Sequence, residues 1–107
     1  MNVQIFKPHV FNELGKLDHL YGDVEHAGSW FLNGVESMTF PIACALVIAF
    51  NHKRKWAMTE LVEWLDGQCE GRQEMIARSR NGTGVFVVFF EREIDAIKFY
   101  MTHGDKL

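Results

Sequence analysis

The chain is short of the residues that most often betray a function. It has only two cysteines, Cys44 and Cys69. That number and spacing exclude a disulfide framework, and with no Cys-x-x-Cys pair they match no common zinc pattern. There is no basic excess: the formal net charge is −3 at neutral pH, which speaks against a domain that lives by non-specific phosphate contacts. A phosphate loop is missing, because the glycine-rich Asn81-Gly82-Thr83-Gly84 lies between two expected strands rather than before a helix. The opening Met-Asn-Val-Gln-Ile-Phe lacks the basic and then apolar pattern of a signal peptide. Cytoplasmic residence is therefore the expectation, and the Asn81 sequon carries no implication of glycosylation. The apolar run Met38–Phe50, followed by His52-Lys53-Arg54-Lys55, imitates a membrane span but falls short of the roughly 20 residues a span requires and contains Pro41.

What is present is a rich apolar complement. Hydrophobic residues make up 48% of the 107, nine of them Phe and three Trp, enough for one domain over 1–107 with a core of its own. Cys44 fits that core as a small hydrophobe. Ala45–Phe50 reads as a strand. Ala57, Met58, Leu61, Val62, Trp64 and Leu65 recur at helical spacing, predicting a helix over 54–66 with Gly67 as its stop. Glu74–Arg80 alternates, with Met75, Ala77 and Ser79 facing one way and Ile76, Arg78 and Arg80 the other. Asn81-Gly82 supplies a tight hairpin turn, and Val85–Phe90 is a second strongly apolar strand. A helix over 91–103 follows, opened by acidic residues that suit its positive end and ended by Gly104; its apolar stripe is expected to be Ile94, Ile97 and Met101, widened by Ala96, Phe99 and Tyr100.

The order predicts a β-α-β-β-α core over 38–104, most of a ferredoxin-like split β-α-β sandwich, α+β in class, with an antiparallel sheet and two helices on one face. Val3–Phe6 is available as the fourth strand. The N-terminal segment 1–37 reads less regularly: a helix from Pro8 to about Tyr21, then a loop over 22–34 with a short strand through Ser29-Trp30-Phe31-Leu32.

One pattern departs from the simple sandwich. Strands of an open antiparallel sheet alternate, because one face meets water, yet 45–50 and 85–90 are apolar on both faces. Two helices cover one face only. The other is covered by the N-terminal segment through Phe6, Phe11, Trp30 and Phe31, or by a second copy or foreign protein docked there, or by single-stranded nucleic acid stacked on Phe50, Phe86 and Phe90, although the charge is unfavourable and the RNA-recognition motif is absent.

Chemistry finds little footing. His19 and His26, with Asp18, Asp23 and Glu25, show no metal spacing, and Cys69 with His52 or His103 resembles no nucleophile signature. No catalytic residue, metal or cofactor is expected. The basic residues Lys53, Arg54 and Lys55, with Arg72, Arg78 and Arg80, form the most suggestive patch. The stretch Trp64-Leu65-Asp66, then Gly84 to Phe99, then His103-Gly104, resembles the C-terminal half of many short bacteriophage proteins, which end in a strand, an acidic turn, an Asp-Ala pair, a Phe and a helix-stopping Gly. It covers little over a third of the chain and carries over no site residues. It implies a phage or mobile-element source and a small α/β sandwich in the host cytoplasm.

The function expected from these features is a small protein-binding module that blocks a host protein sterically. Its contact residues are Trp30, Phe86 and Phe90 at the centre and Lys53, Arg54, Lys55, Arg78 and Arg80 at the rim. A self-assembling structural subunit, dimeric through the second sheet face, and a single-stranded nucleic-acid binder are the alternatives.

Overall fold

The computed structural model describes residues 2–14, 27–50, 58–80 and 83–103. Among these, strand β1 (Asn2–Phe6) leads through a 3-10 turn (Pro8–Val10) into a short helix α1 (Phe11–Leu14). Helix α2 (Ala27–Ser37), strand β2 (Cys44–Phe50), helix α3 (Met58–Gln68), strands β3 (Gln73–Arg80) and β4 (Thr83–Phe90) and helix α4 (Glu93–His103) follow. The four strands form one antiparallel sheet in the order β1-β2-β4-β3. β2 and β3 run parallel with β4 between them, joined by α3, and the N-terminal β1 takes the edge beside β2.

The two apolar strands occupy the middle of the sheet, which explains why neither alternates. On one face, Cys44, Leu46 and Ile48 of β2 and Phe86, Val88 and Phe90 of β4 pack with Leu61 and Leu65 of α3 and with Ala96 and Phe99 of α4. On the other, Ala45, Val47, Val85, Val87 and Phe89 pack with Phe11, Leu14, Phe31 and Phe40. Phe6 and Trp30 lie against the same cluster, half-buried. The N-terminal segment is thus the cover of the second face, and the molecule has three layers rather than two. The chain fills that face with its own side chains, so the apolar surface of β2 and β4 needs no second copy, foreign protein or nucleic-acid base to cover it.

Three local expectations are corrected. The loop and short strand expected over 22–34 give way, in the described part, to α2. Its buried positions Gly28, Phe31 and Gly34 follow helical spacing. Both glycines read as loop signals, and at Gly34 the helix backbone lies close to the sheet: a Cβ there would stand 2.6 Å from Ile76 Cδ1 and 3.3 Å from the Phe89 ring. The helix expected from Pro8 to Tyr21 begins as the 3-10 turn and α1, and its part beyond Leu14 lies outside the described residues. Gly67 falls inside the last turn of α3 with open space around it rather than after the helix.

A fourth correction concerns α4. Its core face is made of Asp95, Ala96, Phe99 and His103, all buried. The predicted stripe points away: Ile94 is 44% exposed, Ile97 40%, Tyr100 45% and Met101 78%. Phe99 wins the core because it fills the space between Phe90 and Trp64, with ring centroids 6.3 and 5.5 Å away. His103 completes the layer, 4.9 Å from the Phe99 ring and 5.4 Å from that of Trp64.

Candidate functional site

Helix α4 is fixed in rotation by a set of polar contacts at its first turns. The Asp95 carboxylate is fully buried and accepts two backbone hydrogen bonds from the loop after α3, Glu70 N–H to Oδ1 and Gly71 N–H to Oδ2, each 2.9 Å. One turn on, Lys98 Nζ lies 3.6 Å from Asp95 Oδ1 and donates to the Gln68 carbonyl at the end of α3, at 3.1 Å. A cation there suits both the carboxylate and the negative end of the α3 dipole. Gly71 is required by the close passage of Arg92, whose Cγ would meet a Cβ at 2.6 Å.

The same loop is tied to the end of β4. The Arg72 guanidinium reaches Glu91 Oε2 through Nε at 3.1 Å and Nη2 at 2.6 Å, the Arg72 N–H donates to Glu91 Oε1, and the Glu91 N–H donates to the Arg72 carbonyl at 3.0 Å. The Arg72 hydrogen bond holds the Glu91 carboxyl below its usual range and raises Arg72 in return. Both side chains meet water, so the pair orients the loop more than it stabilises the fold. Lys7 pairs with Glu93 at the start of α4.

These contacts leave α4 no freedom to roll its aliphatic side inward. Residues advance about 100° each around a helix, which places Ile94, Ile97 and Met101 directly opposite Ala96, Phe99 and His103. The result is an outward stripe of large apolar side chains with Tyr100 on one flank, held on a rigid element. Single exposed apolar residues are ordinary, but here they form a row at helical spacing on the solvent side, the kind of arrangement a contact surface uses. It is the candidate site.

Of the residues expected from the sequence to form the site, the structure brings few together. Phe86 and Phe90 are fully buried beneath α3 and α4, where their size serves the core; they are corrected from contact anchors to core residues and present no exposed ring to a partner or a base. Trp30 is half-buried in α2 on the opposite face. Arg78 is exposed on β3, on the face that α2 covers. Arg80 ends β3 opposite Thr83, and its side chain is not among those described. Lys53, Arg54 and Lys55 lie outside the described residues, as do His19, His26 and His52. Ile94, Ile97 and Met101 are legible in the sequence as one stripe; what the sequence does not declare is which side of the helix faces in.

Neither cysteine is set up for nucleophilic work. Burial first, and Glu93 second, push the Cys44 thiol to about 11; burial and then Asp95 push Cys69 to about 11. At neutral pH the thiolate fraction is then on the order of 10⁻⁴. Cys44 is fully buried, and Cys69 is partly so. In a native-state thiol titration at pH 7.5 Cys44 should not react and Cys69 should react slowly. The Cys69 rate should keep rising with pH past 9 toward 11, because its thiolate forms only there. A plateau near pH 8.5 would contradict this environment.

Among the described residues no group of three His, Cys, Asp or Glu side chains is placed to hold a metal ion, and no helix is long and apolar enough to cross a membrane. Comparison of the chain with protein-family models, with curated proteins and with solved structures finds no match in any of the three.

Proposed function

We propose that this chain is a protein-binding module that docks a partner on the outer stripe of α4 and acts by occupying that partner's surface. The observation that carries the reading is the solvent-facing row Ile94, Ile97 and Met101 on a helix locked in rotation by a buried carboxylate. Anchors at i, i+3 and i+7 on one helix face fit an apolar groove on a foreign protein. The resemblance to short bacteriophage proteins supports a host protein as that partner and a steric, inhibitor-like effect. In this reading the split β2-α3-β3 unit around β4 is a ferredoxin-like sheet whose fourth strand comes from the N-terminus, with α1 and α2 as a further layer.

The test is a comparison of wild-type protein with Ile97→Glu and Met101→Glu as baits in a lysate of the native host. Both positions face water, so stability should change by no more than about 0.5 kcal/mol. A partner held through the stripe should be captured by the wild type and bind either variant at least about tenfold more weakly, the loss expected of a central apolar anchor. A partner held equally by all three would remove the stripe from the function.

A further inference from the structure

We infer that β3 is a self-association edge, along which a second copy of this chain adds its own β3 in antiparallel register about Ile76. This goes beyond the α4 reading and does not depend on it.

The edge is open and regular. β3 lies at the end of the sheet, and its eight residues pair with β4 without a bulge from Gln73↔Phe90 to Arg80↔Thr83. It contains no proline. Natural edges are usually blunted by shortness, proline, a bulge or charged side chains; of these β3 has only the charges of Glu74, Arg78 and Arg80, which a second copy can match with opposite sign. The opposite edge, β1, is the shorter of the two, with five residues.

The backbone supplies the donors and acceptors. The Glu91 N–H to Arg72 carbonyl bond puts Arg72 and Glu91 in the hydrogen-bonded class of antiparallel pairs. Alternation then turns Glu74, Ile76, Arg78 and Arg80 toward β4, and turns the N–H and C=O groups of Gln73, Met75, Ala77 and Ser79 outward. A two-fold axis at Ile76 pairs Met75 with Ala77 and Gln73 with Ser79 of the second copy. Every outward residue meets an outward residue.

The side chains select that register. Glu74, Ile76 and Arg78 share one sheet face, and Glu74 and Arg78 are exposed; among the described residues neither has an ion-pair partner. About Ile76 the symmetry sets each Glu74 opposite an Arg78, twice per dimer, with the two Ile76 side chains in contact between them. Opposite charges directly across antiparallel strands attract, and like charges repel. Moving the axis to Ala77 would set Glu74 against Arg80 instead, keeping opposite charges across the axis, but would lay Arg78 across Ile76 and lose the Ile76 contact, so only the Ile76 register makes Arg78 an ion-pair partner. The groove of about 270 Å³ between α3 and the start of β3, lined by Val62, Leu65, Asp66, Gln73, Glu74 and Met75, lies along the same edge.

Charge reversal tests both the edge and the register. Sedimentation equilibrium over micromolar to millimolar concentration should show wild-type protein forming dimers. Glu74→Arg and Arg78→Glu should each weaken the dimer about tenfold or more, since each sets two like-charge pairs across the axis. An equimolar mixture of the two variants should recover wild-type association, because a Glu74→Arg chain facing an Arg78→Glu chain restores both ion pairs. Circular dichroism should confirm that each variant is folded. Ile76→Cys should cross-link on mild oxidation and Ala77→Cys should not, with the wild type controlling for Cys44 and Cys69. A wild-type monomer at millimolar concentration, or a mixture no stronger than its components, overturns the inference. Met101→Glu should leave the dimer intact and Glu74→Arg should leave partner capture intact, so failure here and failure of the α4 reading are separable.

Discussion

Asp95→Ala is expected to destabilise the domain by about 3 kcal/mol or more, the largest loss for any polar substitution among the described residues. The carboxylate is fully buried and is the acceptor for two backbone N–H groups that lie 24 and 25 residues earlier in the chain. Hydrogen bonds to charged groups contribute roughly 1.5–3 kcal/mol each, and their loss leaves amides without an acceptor away from water. Asp95→Asn keeps one carbonyl oxygen but turns its NH2 toward one of the two N–H donors, so roughly 2 kcal/mol of the loss should remain. Glu93→Ala, two residues earlier and exposed, removes only the surface pair with Lys7 and should cost less than about 0.5 kcal/mol. Urea unfolding of the four proteins checks the order. At this chain length 3 kcal/mol corresponds to a fall in Tm of roughly 12–20 °C. A cost for Asp95→Ala no greater than for Glu93→Ala would mean that the clamp does not hold α4, and the outward direction of its stripe would lose its cause.

That clamp also marks the limit of what the residues declare by themselves. Asp95 near the start of a helix is legible as an acid at the positive end of a dipole. Its long-range partners are backbone amides of Glu70 and Gly71, and an amide has no residue type by which to announce itself. Without the clamp, periodicity offered two faces for α4, and the aliphatic one looked the better core. The central strands and the hairpin register were legible, because six consecutive apolar residues in each strand and an Asn-Gly turn leave few alternatives. So was the excess of apolar surface on β2 and β4, which demanded a second covering layer. The form of that layer was not legible, since glycine at positions 28 and 34 lowers helix propensity, and a local reading weighs that loss without seeing the sheet that the missing side chain at Gly34 makes room for. As for the candidate site, the residues of the α4 stripe could be named from the sequence but not their exposure. The aromatic anchors Phe86 and Phe90 were misplaced for the complementary reason: size and hydrophobicity suit a hot spot and a core equally well.

Phe31→Ala should show whether the second layer belongs to the same cooperative unit as the sheet. Phe31 is fully buried in α2, edge-on to Phe11 at 5.4 Å and 5.7 Å from Phe89 of β4. Removing a ring from such a position costs about 3–5 kcal/mol, from lost burial and the cavity left behind. Domains of this size have only about 5–15 kcal/mol in total, so the variant should be close to unfolding at 37 °C. Phe99→Ala, which empties the matching place on the α3 and α4 side, should cost a similar amount. If the three layers fold as one, both variants will unfold in a single transition with the wild-type denaturant slope, because each exposes the same total surface. If α1 and α2 are instead a separable cover, Phe31→Ala will lose them alone: a smaller cost, a lower slope and binding of an apolar dye to the bared β2–β4 face. The apolar residues Ala45, Val47, Val85, Val87 and Phe89 favour the first outcome, since a face made wholly of such side chains has no stable state in water without its cover.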